Sequence, residues 1–174
     1  KKRGKFCYHG AYGTNMRNNE ENPMKMTTLC YIEKDGKYLM LHRTKKQHDI
    51  NKDKWIGVGG HAEGTEGPED CLLREVKEET GVSASIIKYI GKSSYSFNTP
   101  QDMVEKDVHW YLMMADSYYS KPQREEHFVD SGYYKFYEAY HLLKFSNEKQ
   151  ILEKAYNEYL DLKKANLWGN KKYF

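Results

Sequence analysis

Apolar and polar side chains alternate in two neighbouring runs, TTLCYIEK from Thr27 and KYLMLHRT from Lys37. Residues two apart in such runs share a face, so each predicts a β-strand. Asp35-Gly36 between them suits the φ > 0 positions of a two-residue hairpin turn. A polar loop over 45–54 then leads into WIGVGG, read as a short strand that ends in Gly59 and Gly60, where the backbone can approach a ligand closely. From Pro68 the period lengthens. Pro68 suits a first helical position, Glu69 and Asp70 its positive end, and Gly81 the left-handed residue just past its last turn, which predicts a helix over Pro68–Thr80. Leu72, Leu73 and Val76 would form its packed face, mostly opposite Glu75 and Glu79. Beyond Gly81, VSASIIKYIGKSSYSF, DVHWYLMMADSYY and GYYKFYE predict strands. NEKQILEKAYNEYLDLKKA predicts an amphipathic helix with Ile151, Leu152, Ala155, Leu160 and Leu162 turned inward. Strands and helices therefore mix in one α/β (α+β) fold.

Residues 1–23 show neither period, are rich in Gly and Asn, and end at Asn22-Pro23. They are expected to be a flexible or non-native leader, with Met24 or Met26 as a natural start and a single domain over 24–174. Five basic and two acidic residues in that leader account for the whole net charge of +3, so the body carries no basic platform and no stable nucleic acid complex is expected. Sixteen tyrosines and an aromatic share of 14% exclude disorder throughout. No run approaches the eighteen or so apolar residues of a membrane helix, and no signal-peptide core follows the basic start, so the expected location is cytoplasmic with no membrane partner. Cys7, Cys30 and Cys71 are odd in number and widely spaced; they indicate neither a disulfide framework nor a zinc knuckle, and Cys30 and Cys71 are expected in the core.

One feature of the helix is costly. Positions three and four apart are neighbours, so Glu75, Glu78 and Glu79 share a face, and each like-charge pair costs about 0.2–0.5 kcal/mol. A solvated acidic face would tolerate this, and a metal site would use it. The wider spacing is Gly60, five residues, Glu66, seven residues, then Arg74-Glu75-Val76-Lys77-Glu78-Glu79-Thr80-Gly81-Val82. It resembles the loop-helix-loop box of Nudix hydrolases at every defined position. The resemblance implies a mixed β-sheet sandwiched between helices. It also implies Mg²⁺, with Mn²⁺ as a substitute, held by Glu75, Glu78 and Glu79 and by the backbone carbonyl of Gly59 or Gly60. Hard cations of this kind prefer such oxygen ligands. Glu78, Glu75, Glu79 and Arg74 are the implied catalytic set, with Glu78 as the base or base-orienting residue and with Arg74 and Glu66 holding the carboxylates in place.

The order of elements around the box is similar to the MutT-like branch of that family, which implies a nucleotide substrate. Pyrophosphate-bond cleavage in a nucleoside triphosphate, including an oxidised purine such as 8-oxo-dGTP, is the expected reaction. Arg43 would contact phosphate, Gly59 and Gly60 would approach the substrate, and Glu125 or Glu126 would add a metal ligand. Tyr31, His109, Trp110 and Tyr133 are candidates for stacking on a base, Trp55 for the core, and His61 stands beside the metal loop. His9, His48, His127 and His141 read as solvent residues. ADP-ribose, a nucleotide sugar or a dinucleoside polyphosphate are alternative substrates, with Tyr95 and Pro100 in the region that marks those branches. A nucleotide-binding module without catalysis is the non-enzyme alternative, and a monomer or homodimer is expected.

Overall fold

The computed structural model describes residues 25–44, 53–98, 103–122 and 128–169. The leader over 1–23, Glu125, Glu126 and Pro100 lie outside them, as do His9, His48 and His127. Nine elements follow in order: β1 (Lys25–Lys34), β2 (Lys37–Arg43), β3 (Lys54–Ile56), α1 (Pro68–Thr80), β4 (Ala84–Asn98), β5 (Met103–Ala115), β6 (Phe128–Lys135), α2 (Phe136–Leu142) and α3 (Ser146–Lys164). The strands make one mixed sheet in the order β3-β2-β1-β5-β4, with β6 on β2. β1 runs parallel to β5, and the other named pairings are antiparallel. The hairpin turn sits where Asp35-Gly36 requires it, with φ of 49° and 78°.

That hairpin is short-lived. β1 and β2 pair only through Glu33 with Tyr38 and Lys34 with Lys37, next to the turn. Beyond it they splay: β2 takes β3 and β6 as partners, while β1 meets the glycine loop through Cys30 with Val58 and Thr27 with His61. The predicted WIGVGG strand is thus cut to Lys54–Ile56, because Gly57, Gly59 and Gly60 interrupt ladder pairing while still approaching β1 closely. A Cβ at Gly59 would collide with the Thr28 carbonyl and one at Gly57 would lie 2.7 Å from the Cys30 carbonyl.

Alternation along β1, β2 and β5 builds two cores on the two sheet faces. Cys30, Ile32, Leu39, Leu41, Tyr111 and Met113 pack with Leu72 and Val76 of α1. Tyr31, Tyr38, Met40, Trp110 and Leu112 pack with Ala139 of α2, Leu143 just past its end and Leu152 of α3. The sheet therefore lies between helices, as expected. Cys30 and Cys71 are both fully buried, and Trp55 is half-buried against the second core, its ring stacked on His42.

Three packing expectations need correction. Leu73 is 45% exposed, since it lies about 100° round the helix from Leu72, and the buried face of α1 continues instead through Cys71, Thr80 and Glu79. In α3, Tyr159 joins Ile151, Leu152 and Ala155 as a buried residue, while Leu160 and Leu162 are half-buried. GYYKFYE is not one strand: β6 ends at Lys135, whose N–H donates to Glu138 Oε2 at 2.8 Å, and α2 starts at Phe136. Among the described residues, no helix is long and apolar enough to cross a membrane.

Candidate active site

The splay of the hairpin opens a cavity of about 570 Å³. One wall comes from α1 and the glycine loop, and its geometry centres on Arg74. Pro68 and Gly81 set the helix ends, with the Gly81 N–H bonded to the Lys77 carbonyl, so the phase of α1 puts Arg74, Glu75, Glu78 and Glu79 on the cavity. Arg74 grips Glu66 in a two-pronged pair, Nε to Oε1 at 2.8 Å and Nη2 to Oε2 at 2.9 Å. Its Nη1 donates to Glu75 Oε1 at 3.0 Å and to Glu78 Oε2 at 3.2 Å, and its Nη2 also donates to the His61 carbonyl at 3.0 Å. The guanidinium fork has enough donors for all of this. Beside it, Glu66 is held at about 2, first by Arg74 and then by the Glu63 N–H, while the Arg74 pKa is raised beyond its ordinary value.

The three helix glutamates are not equivalent. Glu79 is buried, with Oε2 accepting from the Gly59 N–H at 3.0 Å. Glu75 is partly buried, its side chain 15% exposed, and occupies the space that a Cβ at Gly60 would need. The Glu78 side chain is 55% exposed. The Gly60 carbonyl accepts from the Thr28 N–H at 2.9 Å and faces the Cys71 thiol, so it is engaged with the fold. Burial raises the pKa of the Cys71 thiol, which is only partly offset by its bond to Thr28 Oγ1, and this keeps it a packing group.

Among the described residues, no three His, Cys, Asp or Glu side chains surround a common point. The donor chemistry nonetheless fits a hard cation: Glu75, Glu78 and Glu79 line one cavity with Gly59 and Gly60, and carboxylate oxygens are the donors such an ion prefers. His61 is exposed on the same cavity, and Arg43 lines it from the end of β2, its guanidinium over the Phe128 ring.

Of the four base-stacking candidates, only Trp110 lines the cavity. Tyr31 is buried beneath it, their rings stacked at 5.9 Å, and its hydroxyl donates to the Glu148 carbonyl. His109 points to the other face of β5, where Nδ1 lies 3.2 Å from the Tyr89 hydroxyl. The Tyr133 hydroxyl donates to the Ser117 carbonyl, and its ring lies edge-on to Tyr118. His141 is exposed, as expected.

Sequence reasoning missed a second wall made by Ser93, Lys106, Val108, Phe145, Asn147 and Glu148, together with Tyr95. Lys106 could have been found, because 106, 108 and 110 share one strand face with Trp110. Glu148 gave no such signal; in sequence it reads as an acid suited to a helix start. In the fold, burial pushes it up to about 7, and the Phe145 N–H bonded to it and the nearby Lys54 pull the other way.

A family model described as NUDIX domain matches residues 24–155. MutT4, a mutator protein of Mycobacterium tuberculosis (strain CDC 1551 / Oshkosh), is 42% identical over 59 residues, 34% of this chain and 24% of that protein. An oxidized purine nucleoside triphosphate hydrolase of Danio rerio is 28% identical over 102 residues, 59% of this chain and 61% of that protein. The chain thus spans about a quarter of the first relative and under two thirds of the second. Among solved structures, a MutT NUDIX hydrolase from Burkholderia pseudomallei superposes with a TM-score of 0.60 at 18% identity, covering 76% of this chain and 98% of that one. A C. elegans Ap4A hydrolase superposes with a TM-score of 0.61 at 14% identity, covering 79% and 98%.

Proposed function

The chain belongs to the NUDIX family, and from that premise we propose that it is a divalent-metal-dependent hydrolase of nucleoside triphosphates, releasing monophosphate and pyrophosphate. The observation that carries the reading is the composite cavity: one wall of carboxylates and glycine backbone, another of aromatic and polar groups, in a volume that suits a nucleotide. A relative that hydrolyses oxidized purine nucleoside triphosphates supports extending the substrate to forms such as 8-oxo-dGTP.

Glu75, Glu78, Glu79 and the Gly59 carbonyl would hold Mg²⁺ or Mn²⁺. Such an ion, when bound, neutralises diphosphate charge and makes its water a better nucleophile. The chain's own groups do the remaining work. Arg74 fixes the rotamers of Glu75 and Glu78, and the Gly59 N–H fixes Glu79. Glu78, the most solvent-accessible of the three, takes the proton of the attacking water at Oε1, since Oε2 faces Arg74. Arg43 holds a phosphate oxygen, and the wall around Trp110 orients the base. Orientation of this kind accounts for much of the rate in phosphoryl transfer.

A linked substrate such as a diadenosine polyphosphate is a second reading, favoured by Tyr95 on the cavity wall. Incubation with Mg²⁺ and nucleoside triphosphates, 8-oxo-dGTP, ADP-ribose or diadenosine polyphosphates, followed by separation of products, tests both. Monophosphate plus pyrophosphate from a triphosphate is the expected result, and Glu78→Gln should lower turnover by at least about 100-fold with the fold intact. Cleavage confined to linked dinucleotides would select the second reading, and no turnover of any substrate would leave a binding module.

A further inference from the structure

The wall built by β4, β5 and the start of α3 carries chemistry that phosphate cleavage does not use. Lys106 stands on the same β5 face as Val108 and Trp110, so an ammonium group ends an otherwise apolar floor. Glu148 lies in the first turn of α3 and is doubly tied: the Phe145 N–H donates to its carboxyl, and its backbone carbonyl accepts from the Tyr31 hydroxyl at 3.0 Å. Its Oε2 is buried and has no hydrogen-bond partner among the described residues. An acceptor left in that state costs free energy that a ligand donor would recover. Tyr95 links the two groups, since it pairs across the sheet with Lys106 and is close enough to Glu148 to feel its charge.

We propose that Lys106 and Glu148 are specificity-determining residues that select a base with a lactam edge, a ring carbonyl beside a ring N–H. Lys106 donates to the carbonyl and Glu148 accepts from the N–H. Guanine, hypoxanthine and uracil offer this order, whereas adenine and cytosine offer an amino group beside a bare ring nitrogen. At pH 8, where the Glu148 carboxyl is ionised, the amino group would face an ammonium and the bare nitrogen a carboxylate, a mismatch at both positions. Sites that leave buried polar groups unpaired discriminate more strongly than apolar pockets do. This inference rests on the nucleotide reading of the cavity.

Titration calorimetry of the full chain at pH 8 with nucleoside monophosphates, which hold no cleavable pyrophosphate bond, separates recognition from turnover. GMP should bind at least about tenfold more tightly than AMP, and UMP likewise more tightly than CMP. Lys106→Met and Glu148→Ala should each bring the GMP-to-AMP ratio below about threefold. Glu148 also bonds the backbone at the start of α3, so Lys106→Met carries the test if Glu148→Ala melts early. AMP binding as tightly as GMP, an equal loss for both in the variants, or no monophosphate binding at all would overturn the inference. Selective binding without triphosphate turnover would uphold it and remove the hydrolase reading, and turnover without base selection would do the reverse.

Discussion

Glu33 shows how far burial can move a single side chain. It is fully buried beside the hairpin turn, where Oε1 accepts from the Gly36 N–H and Oε2 has no hydrogen-bond partner among the described residues. Burial raises its pKa from 4.5 to about 7, with the Gly36 bond opposing. The folded chain therefore holds this proton more tightly than the unfolded one. Its contribution is complete below pH 4.5 and is lost as the pH climbs through 7. Glu33→Gln keeps the neutral form at every pH, so it should leave the melting temperature near wild type at pH 4 and raise it at pH 8. A gain of about 3 kcal/mol, or roughly 6–12 °C, is expected in thermal melts; equal shifts at both pH values would mean that burial of charge is not the cause. None of this was visible in TTLCYIEK, where alternation assigns Glu33 to a strand but does not fix what closes over it. Arg74 is the opposite case. The resemblance already gave it the task of holding a carboxylate in place, and the structure adds the pair with Glu66 and the contacts to Glu75 and the His61 carbonyl.

The glycine loop and α1 work as one element, and two neighbouring glycines in it should respond differently to the same change. Gly59 has φ of 141° and its missing Cβ faces the backbone of Thr28 and Leu29, which cannot move cheaply. Gly59→Ala should therefore destabilise the fold by about 2 kcal/mol or more in denaturant titrations. The atoms nearest the missing Cβ of Gly60 are those of the Glu75 carboxylate, the far end of a flexible side chain. Gly60→Ala should retain most stability and lose at least about tenfold in turnover, because the displaced carboxylate leaves its place beside Arg74. Comparable losses of stability in both variants would contradict this division. At this scale the sequence was most legible for α1, whose ends carry Pro68 and Gly81 and match the structure residue for residue. It was least legible at GYYKFYE, where aromatic side chains favour a strand locally while Glu138 caps the turn into α2. Packing of Phe136 on Tyr156, rings 4.1 Å apart, then holds that helix against α3.

At the scale of the whole molecule, an ion that binds the folded cavity and not the unfolded chain must stabilise the fold by mass action. Mg²⁺ at about ten times its Kd should add about 1.4 kcal/mol, raising the melting temperature by roughly 3–6 °C. Chelation should reverse the shift and Glu75→Gln should at least halve it, whereas an undiminished shift in that variant would take Glu75 out of the ligand set. The sequence by itself determined the hairpin turn, the bounds of α1 and the carboxylate pattern, because these depend on residues within a few positions of one another. Only the tertiary structure decided that the hairpin splays after two paired positions, that Gly60 is turned into the fold, and that Lys106, Tyr95 and Glu148 share a wall with Trp110. Those residues lie up to 53 positions apart from Tyr95 to Glu148, and their meeting is set by the packing of α3 on β4 and β5 rather than by any local period.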